Sequence, residues 1–276
     1  MTTLAERLGH GPDDKLLIVN CDDLGSSASA NRAIADVVDR GLATSATLMV
    51  PCPWALDGAA RAKGGGIGVH LTLTCEYPAY RWRSLTGAAS LHDETGYMPA
   101  TIQAVWDRAD LADVRAEGRA QIEQAYAWGV DVTHLDAHMG TMQLDPRYSA
   151  IFLELAAEYR LPVRMFGTRV EARFGFAARQ PASDAGIVHP DRTIDIWAQP
   201  RGAFAERMAR LKPGVTEVFF HPVEDGPELR GYDLKEPDIR VGDYAEMLSP
   251  GYRETIEAAG ARLISFAPLR DLMRAA

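Results

Sequence analysis

Short apolar runs alternate with amphipathic stretches along the whole chain, and this alternation constrains the fold more than any other feature. The first pair is an apolar run at 16–20 and a helical pattern at 29–40 that ends at Gly41. Similar runs predict strands at 44–50, 67–73, 130–135, 163–166, 193–197, 217–220 and 262–266. Strands that alternate with helices form mainly parallel sheets. Seven or so strands in 276 residues predict an α/β fold with a closed or nearly closed (β/α) barrel, and an open doubly wound sheet is the alternative.

The remaining segments predict further helices and two long loops in one domain, residues 1–276. The helices are expected at 54–62, 114–128, 145–159, 203–211, 249–260 and the C-terminus. Residues 76–112 contain glycine, proline and five aromatic residues, so a lid-like loop is predicted there. Its aromatic rings could stack on sugars or simply pack on the barrel. A polar loop with glycine and proline is predicted at 223–241.

Acidic and imidazole side chains lie at or just beyond several predicted strands. Asp22 and Asp23 follow the first apolar run, His70 lies in the run at 67–73, and His138 follows the run at 130–135. In α/β barrels, functional sites gather at the C-terminal ends of the strands. One carboxylate with two imidazoles is a metal-ligand set, and a second carboxylate beside it is a candidate base.

Two assignments stay open at this point. Asp22 and Asp23 could exchange the roles of base and ligand, and only an irregular turn would direct both side chains to one site. Gly25 makes such a turn plausible. His134 competes with His138, because their spacing of four puts both on one side of a strand.

A family resemblance rests on these same residues. The segments that carry it are 19–25 with its two adjacent aspartates, 31–32, 44–50, 68–74, 133–138 and 220–222, followed by Arg240 and Glu246. Their order from about residue 15 to 270 resembles the YdjC/ChbG-type carbohydrate deacetylases, the ChbG/HpnK group. This resemblance implies a distorted (β/α) barrel, similar to that of the polysaccharide deacetylases, and one divalent metal ion.

The resemblance also implies roles for individual residues. Asp23, His70 and His138 would hold the metal ion, Asp22 would be the general base, and His221 would be the general acid. An acid is needed because an amine anion cannot leave at neutral pH.

Three further residues are assigned around this set. Asp136 shares the strand side of the histidines and is predicted to orient a ligand imidazole, with a structural hydrogen bond as the alternative. Arg240 and Glu246 are predicted to support the acid pair or bind substrate, with a surface salt bridge as the alternative.

The expected function is removal of an acetyl group from an N-acetylated sugar or oligosaccharide. Other members have more histidines where this chain has Met139 and Met142, so another acyl amide or ester on a modified glycan or lipid-linked sugar is the alternative. A non-catalytic carbohydrate-binding protein and a non-haem iron oxygenase are remote alternatives. Two imidazoles and one carboxylate suit zinc, cobalt, nickel or iron, and the resemblance leaves magnesium open.

Composition limits the partners. The net charge of −9 and the absence of a basic run disfavour nucleic acid and anionic membranes. Three cysteines (Cys21, Cys52 and Cys75) without a CxxC motif predict a reducing compartment rather than a disulfide framework. No signal peptide or membrane span is recognised, so a cytoplasmic protein is expected, with a homodimer left open.

Overall fold

The computed structural model describes residues 2–61 and 66–275, and its strands form one parallel sheet. The strands are β1 (Lys15–Leu24), β2 (Ser45–Leu48), β3 (Gly66–Leu71), β4 (Leu135–Ala137), β5 (Arg192–Asp195), β6 (Gly214–Phe220) and β7 (Ala261–Leu263). In hydrogen-bonded order they run β4-β3-β2-β1-β6-β5, and β7 pairs with the start of β1. β1 therefore lies at the centre, where both faces of its apolar run Leu16–Val19 are buried.

The sheet curls toward a barrel, and its two edges are joined by the segment at 163–165. Val163 forms a single parallel bridge with Leu135 of β4. On the other side, Thr193 Oγ1 of β5 donates a hydrogen bond to the Met165 carbonyl at 2.9 Å. The predicted distorted (β/α) barrel is confirmed. The strand predicted at 163–166 is wrong. Of these four described residues, only Val163 makes a backbone bridge, and the Met165 carbonyl accepts a hydrogen bond from the Thr193 side chain instead of from the backbone of a neighbouring strand.

The strand predicted at 130–135 is also misplaced. β4 begins at Leu135, where that prediction ends, and continues to Ala137. The Val132 N–H bonds to the Val130 carbonyl in a local turn, which interrupts the extended backbone before β4. The shift places Asp136 inside the strand and His138 directly after it.

Helices surround the sheet and connect its strands. They are α1 (Leu4–Arg7), α2 (Ala28–Asp39), α3 (Ala55–Arg61), α4 (Ile102–Arg108), α5 (Leu111–Ala127), α6 (Pro146–Tyr159), α7 (Thr168–Phe174), α8 (Arg179–Asp184), α9 (Ala203–Ala209), α10 (Pro227–Tyr232), α11 (Pro237–Met247), α12 (Pro250–Ala258) and α13 (Ala267–Ala275). The predicted end of the third helix at residue 62 lies outside the described residues. No helix in the described ranges combines the length and apolar character needed to cross a bilayer.

The polar loop predicted at 223–241 is wrong, because α10 and the first five residues of α11 lie there. Pro227 and Pro237 each occupy the first turn of a helix. Proline is favoured at that position, since its fixed φ suits the helix and its missing N–H would have no partner there. These prolines start helices instead of breaking them, and α11 carries Arg240 into the site.

The predicted lid-like loop at 76–112 is partly ordered into secondary structure. A 3-10 turn occupies Ala89–Leu91, α4 occupies Ile102–Arg108 and α5 begins at Leu111. Of its aromatic residues, Tyr77 and Trp82 are buried in a second apolar cluster with residues of α2 and α10. These two rings pack against the protein, as one of the two alternatives predicted.

Candidate metal centre and catalytic site

Asp22 and Asp23 lie inside β1 near its C-terminal end, rather than after it as predicted. The pairing of β1 with β2 shifts between Cys21 and Leu24, so a β-bulge contains both acids. Asp23 has φ 66, a left-handed conformation that aspartate tolerates better than most residues. A regular strand would send adjacent side chains to opposite faces. The predicted irregularity therefore exists, but Asp23 itself supplies it, before Gly25.

Three candidate ligands meet at the C-terminal ends of β1, β3 and β4. Asp23 Oδ1 lies 3.4 Å from His70 Nε2 and 3.2 Å from His138 Nδ1. All three residues are buried, and their ligand atoms lie within 4.8 Å of one another, so this group could hold a metal ion. Ligand atoms around tetrahedral zinc, with bonds of about 2.0–2.1 Å, stand roughly 3.3 Å apart. The measured separations fit such an ion.

The hydrogen bonds of the two imidazoles leave the correct nitrogens free for a cation. His70 Nδ1 lies 2.6 Å from Asp136 Oδ1, and His138 Nε2 lies 3.0 Å from Glu76 Oε2. A carboxylate accepts the N–H of each ring, so in the neutral ring the opposite nitrogen carries the lone pair. Within the described residues, Asp23 Oδ1 is buried without a hydrogen-bond partner. Once both rings are neutral, an acceptor oxygen and two lone pairs thus converge on one point.

Arg240 fixes the second oxygen of Asp23. Its Nη1 donates to Asp23 Oδ2 at 2.6 Å, its Nε to Asp233 Oδ2 at 3.1 Å and its Nη2 to the Tyr77 hydroxyl at 2.9 Å. Burial alone would raise the pKa of Asp23, but Arg240 and His138 outweigh it and hold that pKa well below its usual value. Asp23 is therefore ionised, with one oxygen held and the other free.

A second group of potential ligands contains Asp22, His70 and Asp136. Arg164 Nη1 lies 2.6 Å from Asp22 Oδ2 and 2.9 Å from Asp136 Oδ2. His70 Nδ1 is also bonded to Asp136. A guanidinium cation thus already neutralises this group, which favours the Asp23 group as the metal centre.

Asp22 is held by a two-point contact with Arg164. Nη1 and Nη2 of Arg164 donate to Oδ2 and Oδ1 of Asp22 at 2.6 and 2.7 Å. Asn20 Nδ2 also donates to Asp22 Oδ1, at 2.8 Å. Burial alone would raise the pKa of Asp22, but Arg164 outweighs it and lowers that pKa well below its usual value. Among the described residues Oδ1 has two donors and Oδ2 has one, so Oδ2 keeps a free lone pair.

Arg164 also contacts Glu217 of β6 inside the barrel. Its Nε donates to Glu217 Oε1 at 2.8 Å. Burial raises the pKa of Glu217 to about 7, despite the opposing effect of Arg164. One guanidinium therefore serves three buried carboxyl groups, those of Asp22, Asp136 and Glu217.

His221 follows β6 directly and faces Asp22 from the other side of the site. Its Nε2 lies 3.7 Å from Asp22 Oδ2, and its backbone N–H donates to Asp243 Oδ2 at 2.7 Å. The Trp197 ring meets the imidazole edge to face at 4.5 Å and also lies 5.1 Å from the Arg240 guanidinium carbon. Burial lowers the pKa of His221 to about 4. The imidazole is therefore neutral at pH 7.

The imidazoles of the candidate ligands His70 and His138 differ from that of His221 in their charge. Burial alone would lower their pKa values, but the neighbouring carboxylates outweigh it and raise the pKa of His70 to about 10 and that of His138 to about 9. Imidazoles bind metal ions in the neutral form. A cation entering this centre would therefore displace protons from both rings.

Two sequence candidates lie outside the centre. His134 is fully buried, stacks on Phe266 at 3.7 Å and bonds through Nδ1 to Thr133 Oγ1, so it is a core histidine. Glu246 lies on α11, one turn beyond Asp243. In the described ranges it forms no hydrogen bond or ion pair with a residue of the site, so the expected support from Glu246 is not seen.

Four residues of the site escaped the sequence analysis: Arg164, Glu76, Asp243 and Trp197. Arg164 lies in the run predicted as a strand at 163–166, and Glu76 comes shortly after the run at 67–73. The rule that strand ends carry the site could have found both. Asp243 is on α11, between the loop predicted at 223–241 and the helix predicted at 249–260, so no predicted element indicated its direction.

Comparisons with known proteins show the family to which this chain is similar. The sequence model of the family described as YdjC-like protein matches residues 16–258. A carbohydrate deacetylase of Thermus thermophilus is 36% identical over 260 residues, which cover 92% of this chain and 93% of the relative. A carbohydrate deacetylase of Geobacillus stearothermophilus is 32% identical over 254 residues, with coverage of 90% and 96%.

A solved structure supports the fold. The crystal structure of a "putative cellobiose-phosphate cleavage protein" from Enterococcus faecalis V583 superposes with a TM-score of 0.78 at 24% identity. The match covers 93% of this chain and 99% of that one.

Proposed function

The chain belongs to the YdjC-like protein family, and on that premise we propose that it is a carbohydrate deacetylase. It is a hydrolase that cleaves the amide C–N bond of an N-acetylated sugar or oligosaccharide with metal-activated water. The observation that carries this proposal is the convergence of Asp23 Oδ1, His70 Nε2 and His138 Nδ1 beside a separate carboxylate, Asp22. The names of the Thermus and Geobacillus relatives support a sugar substrate.

Asp23, His70 and His138 would hold one divalent cation. Zinc suits this donor set best, cobalt and nickel suit it too, and magnesium prefers more oxygen ligands. When bound, the cation supplies Lewis acidity, which activates water and polarises the acetyl carbonyl. The chain's own side chains then have to move the protons.

Asp22 accepts the proton of the attacking water. In the part of the chain that the structure describes, its Oδ2 has one donor, Arg164 Nη1, and therefore keeps a lone pair for this proton. Arg164 and Asn20 hold the carboxylate in place, and Arg164 keeps it ionised. A general base needs this combination of fixed position and available lone pair.

His221 donates a proton to the leaving amine. Because its pKa is lowered to about 4, the proton has to arrive during turnover. Asp22 Oδ2, at 3.7 Å from His221 Nε2, is the nearest source. The balance is complete: water gives its hydroxyl to the acyl carbon and its proton to the amine, and the products are acetate and the free amino sugar.

One observation favours the second candidate, the same chemistry on another acyl amide or ester of a modified glycan or lipid-linked sugar. Met139, next to His138, is 44% exposed and has a left-handed backbone with φ 54. Its thioether accepts a hydrogen bond from Thr74 Oγ1 at 3.4 Å, which places an apolar side chain beside the centre. Such a surface suits a substrate with an apolar group near its acyl carbon.

The test is acetate release from N-acetylated sugars and chitooligosaccharides, before and after removal of metal ions by a chelator. Release that stops on chelation and returns with zinc supports the proposal. Release that is unaffected by chelation would rule out the metal-dependent mechanism. Turnover of acyl esters or longer acyl amides, without acetate release from any N-acetylated sugar, would support the second candidate instead.

A further inference from the structure

Each candidate ligand has its non-coordinating atom bonded to a different charged side chain. Arg240 binds Asp23 Oδ2, Asp136 binds His70 Nδ1 and Glu76 binds His138 Nε2. Asp136 belongs to strand β4 and Arg240 to helix α11. Glu76 differs from both, because it lies outside the helices and strands, at the start of the 76–112 segment.

The residue after Glu76 makes a matching contact. Tyr77 accepts a hydrogen bond from Arg240 Nη2 at 2.9 Å, and Arg240 in turn holds Asp23. Glu76 Oε1 is also 4.0 Å from Arg240 Nη2. Two consecutive residues of this segment therefore contact two of the three ligands, one directly and one through Arg240.

The segment itself is fixed to the barrel by packing. Tyr77 is buried in the second apolar cluster, where its ring meets Tyr232 at 4.9 Å and Trp82 at 5.9 Å, both edge to face. Glu76, by contrast, leaves 23% of its side chain exposed at the edge of the site. Packing of the apolar neighbour thus sets the position of the carboxylate.

From this arrangement we infer that Glu76 is a positioning residue for the metal centre: it orients His138 so that Nδ1 faces the cation. The inference rests on the proposed function. It also implies that docking of residues 76–77 and formation of the metal centre are linked. Carboxylates bonded to a ligand imidazole typically change metal affinity by about 10–100-fold when they are mutated.

A competing explanation gives the opposite result. If Glu76 only pairs with a charged His138 in the metal-free protein, its removal would destabilise that state alone. Zinc would then bind with unchanged or higher affinity. The direction of the change in affinity therefore separates the two explanations.

The experiment measures the zinc dissociation constant by competition with a chromophoric chelator at one fixed pH. Glu76→Ala is expected to weaken zinc binding by about 10–100-fold. Glu76→Gln should lose less, because an amide oxygen still accepts the bond from His138. Tyr77→Phe should also lose less, because it acts through Arg240. Glu94→Ala is the matched control, since this residue of the same segment is 89% exposed and should bind zinc as the wild type does.

A second readout reports ring orientation directly. The visible absorption spectrum of the cobalt-loaded protein should change in Glu76→Ala and stay the same in Glu94→Ala, while the metal-free forms keep the wild-type circular dichroism. If Glu76→Ala does not fold, weaker zinc binding by Glu76→Gln still supports the inference and wild-type binding by that variant overturns it. Unchanged or tighter zinc binding by Glu76→Ala overturns the inference alone. No zinc binding by the wild-type protein would overturn both the inference and the proposed function.

Discussion

Asp22 and Asp23 are neighbours in sequence, yet they lie in two differently built halves of the site. Arg164 contacts both oxygens of Asp22 and also serves Asp136 and Glu217. Arg240 contacts only one oxygen of Asp23 and leaves the other facing two imidazoles. The comparison shows that the number of oxygens taken by arginine, rather than the residue type, separates a candidate base from a candidate ligand.

The bulge in β1 makes this division possible. Left-handed backbone at Asp23 turns one carboxylate toward the candidate ligands His70 and His138, while Asp22 stays directed at the barrel interior and His221. Neutralisation by two separate guanidinium groups also reduces the repulsion between adjacent buried acids.

Removing the charge of each acid in turn should give the largest difference between the two halves of the site. Asp22→Asn should retain about one divalent ion per chain but lose roughly 10²–10⁴-fold in turnover, the usual contribution of a general base. Asp23→Ala should lose the ion and all measurable activity with it. Elemental analysis and acetate release measure both. Loss of the ion from Asp22→Asn would mean that the two roles are reversed.

His221 tests the Asp22 half further. His221→Ala should reduce hydrolysis of amides by up to about 10²–10⁴-fold and hardly affect activated esters, whose leaving groups need no proton. The ratio of kcat/KM for the two substrate types measures this. His189→Ala, which changes an imidazole that contacts Arg179 and Ser183 of α8, should leave the ratio at its wild-type value. Equal losses on amides and esters would remove the acid assignment.

Arg164 tests how the Asp22 half is stabilised. Arg164→Met leaves three buried carboxyl groups without their cation, and breaking such a contact typically costs about 3–5 kcal/mol. Urea unfolding of the metal-free protein measures this loss. Arg230→Met, which removes an exposed ion pair, should cause no measurable loss. A stability like that of the wild type would show that the network contributes little.

Glu217 should give the smallest effect, visible only against pH. Burial raises its pKa from 4.5 to about 7, so the folded protein keeps a proton that the unfolded chain releases. Its contribution to the free energy of unfolding is complete below 4.5 and decreases as the pH rises toward 7. Glu217→Gln stays neutral and should therefore gain ~1–3 kcal/mol relative to the wild type over that range. A difference independent of pH would contradict the raised pKa.

Much of the fold followed from local patterns, and the failures share a cause. The apolar runs at 16–20, 44–50, 67–73, 193–197 and 217–220 all became strands, because a buried parallel strand needs continuous apolar residues. The prediction failed at 163–166 and 223–241. At 163–166 the Met165 carbonyl bonds to the Thr193 side chain instead of to the backbone of a neighbouring strand. At 223–241 Pro227 and Pro237 begin helices instead of ending them.

Within the site, the sequence indicated the residues that lie on strand ends and missed those whose position depends on distant contacts. Asp22, Asp23 and His138 were found from their place after apolar runs, His70 from its place within one, and His221 from the family resemblance. Arg164 and Glu76 also lie at or after apolar runs, but only their partners show what they do, and Asp243 has no such signal in sequence. The spacing of four residues made His134 as good a candidate ligand as His138. His134 nevertheless belongs to the core, because Phe266 packs on its ring.

The sequence alone determined the parallel α/β architecture and brought two acids and three histidines to one end of the sheet, because side-chain period and strand direction are local properties. Tertiary structure decided which oxygen and which nitrogen are free. Those choices depend on Arg164, Arg240, Asp136 and Glu76, which come from distant parts of the chain. A buried charge takes its state from every group packed around it, and no local pattern encodes that set.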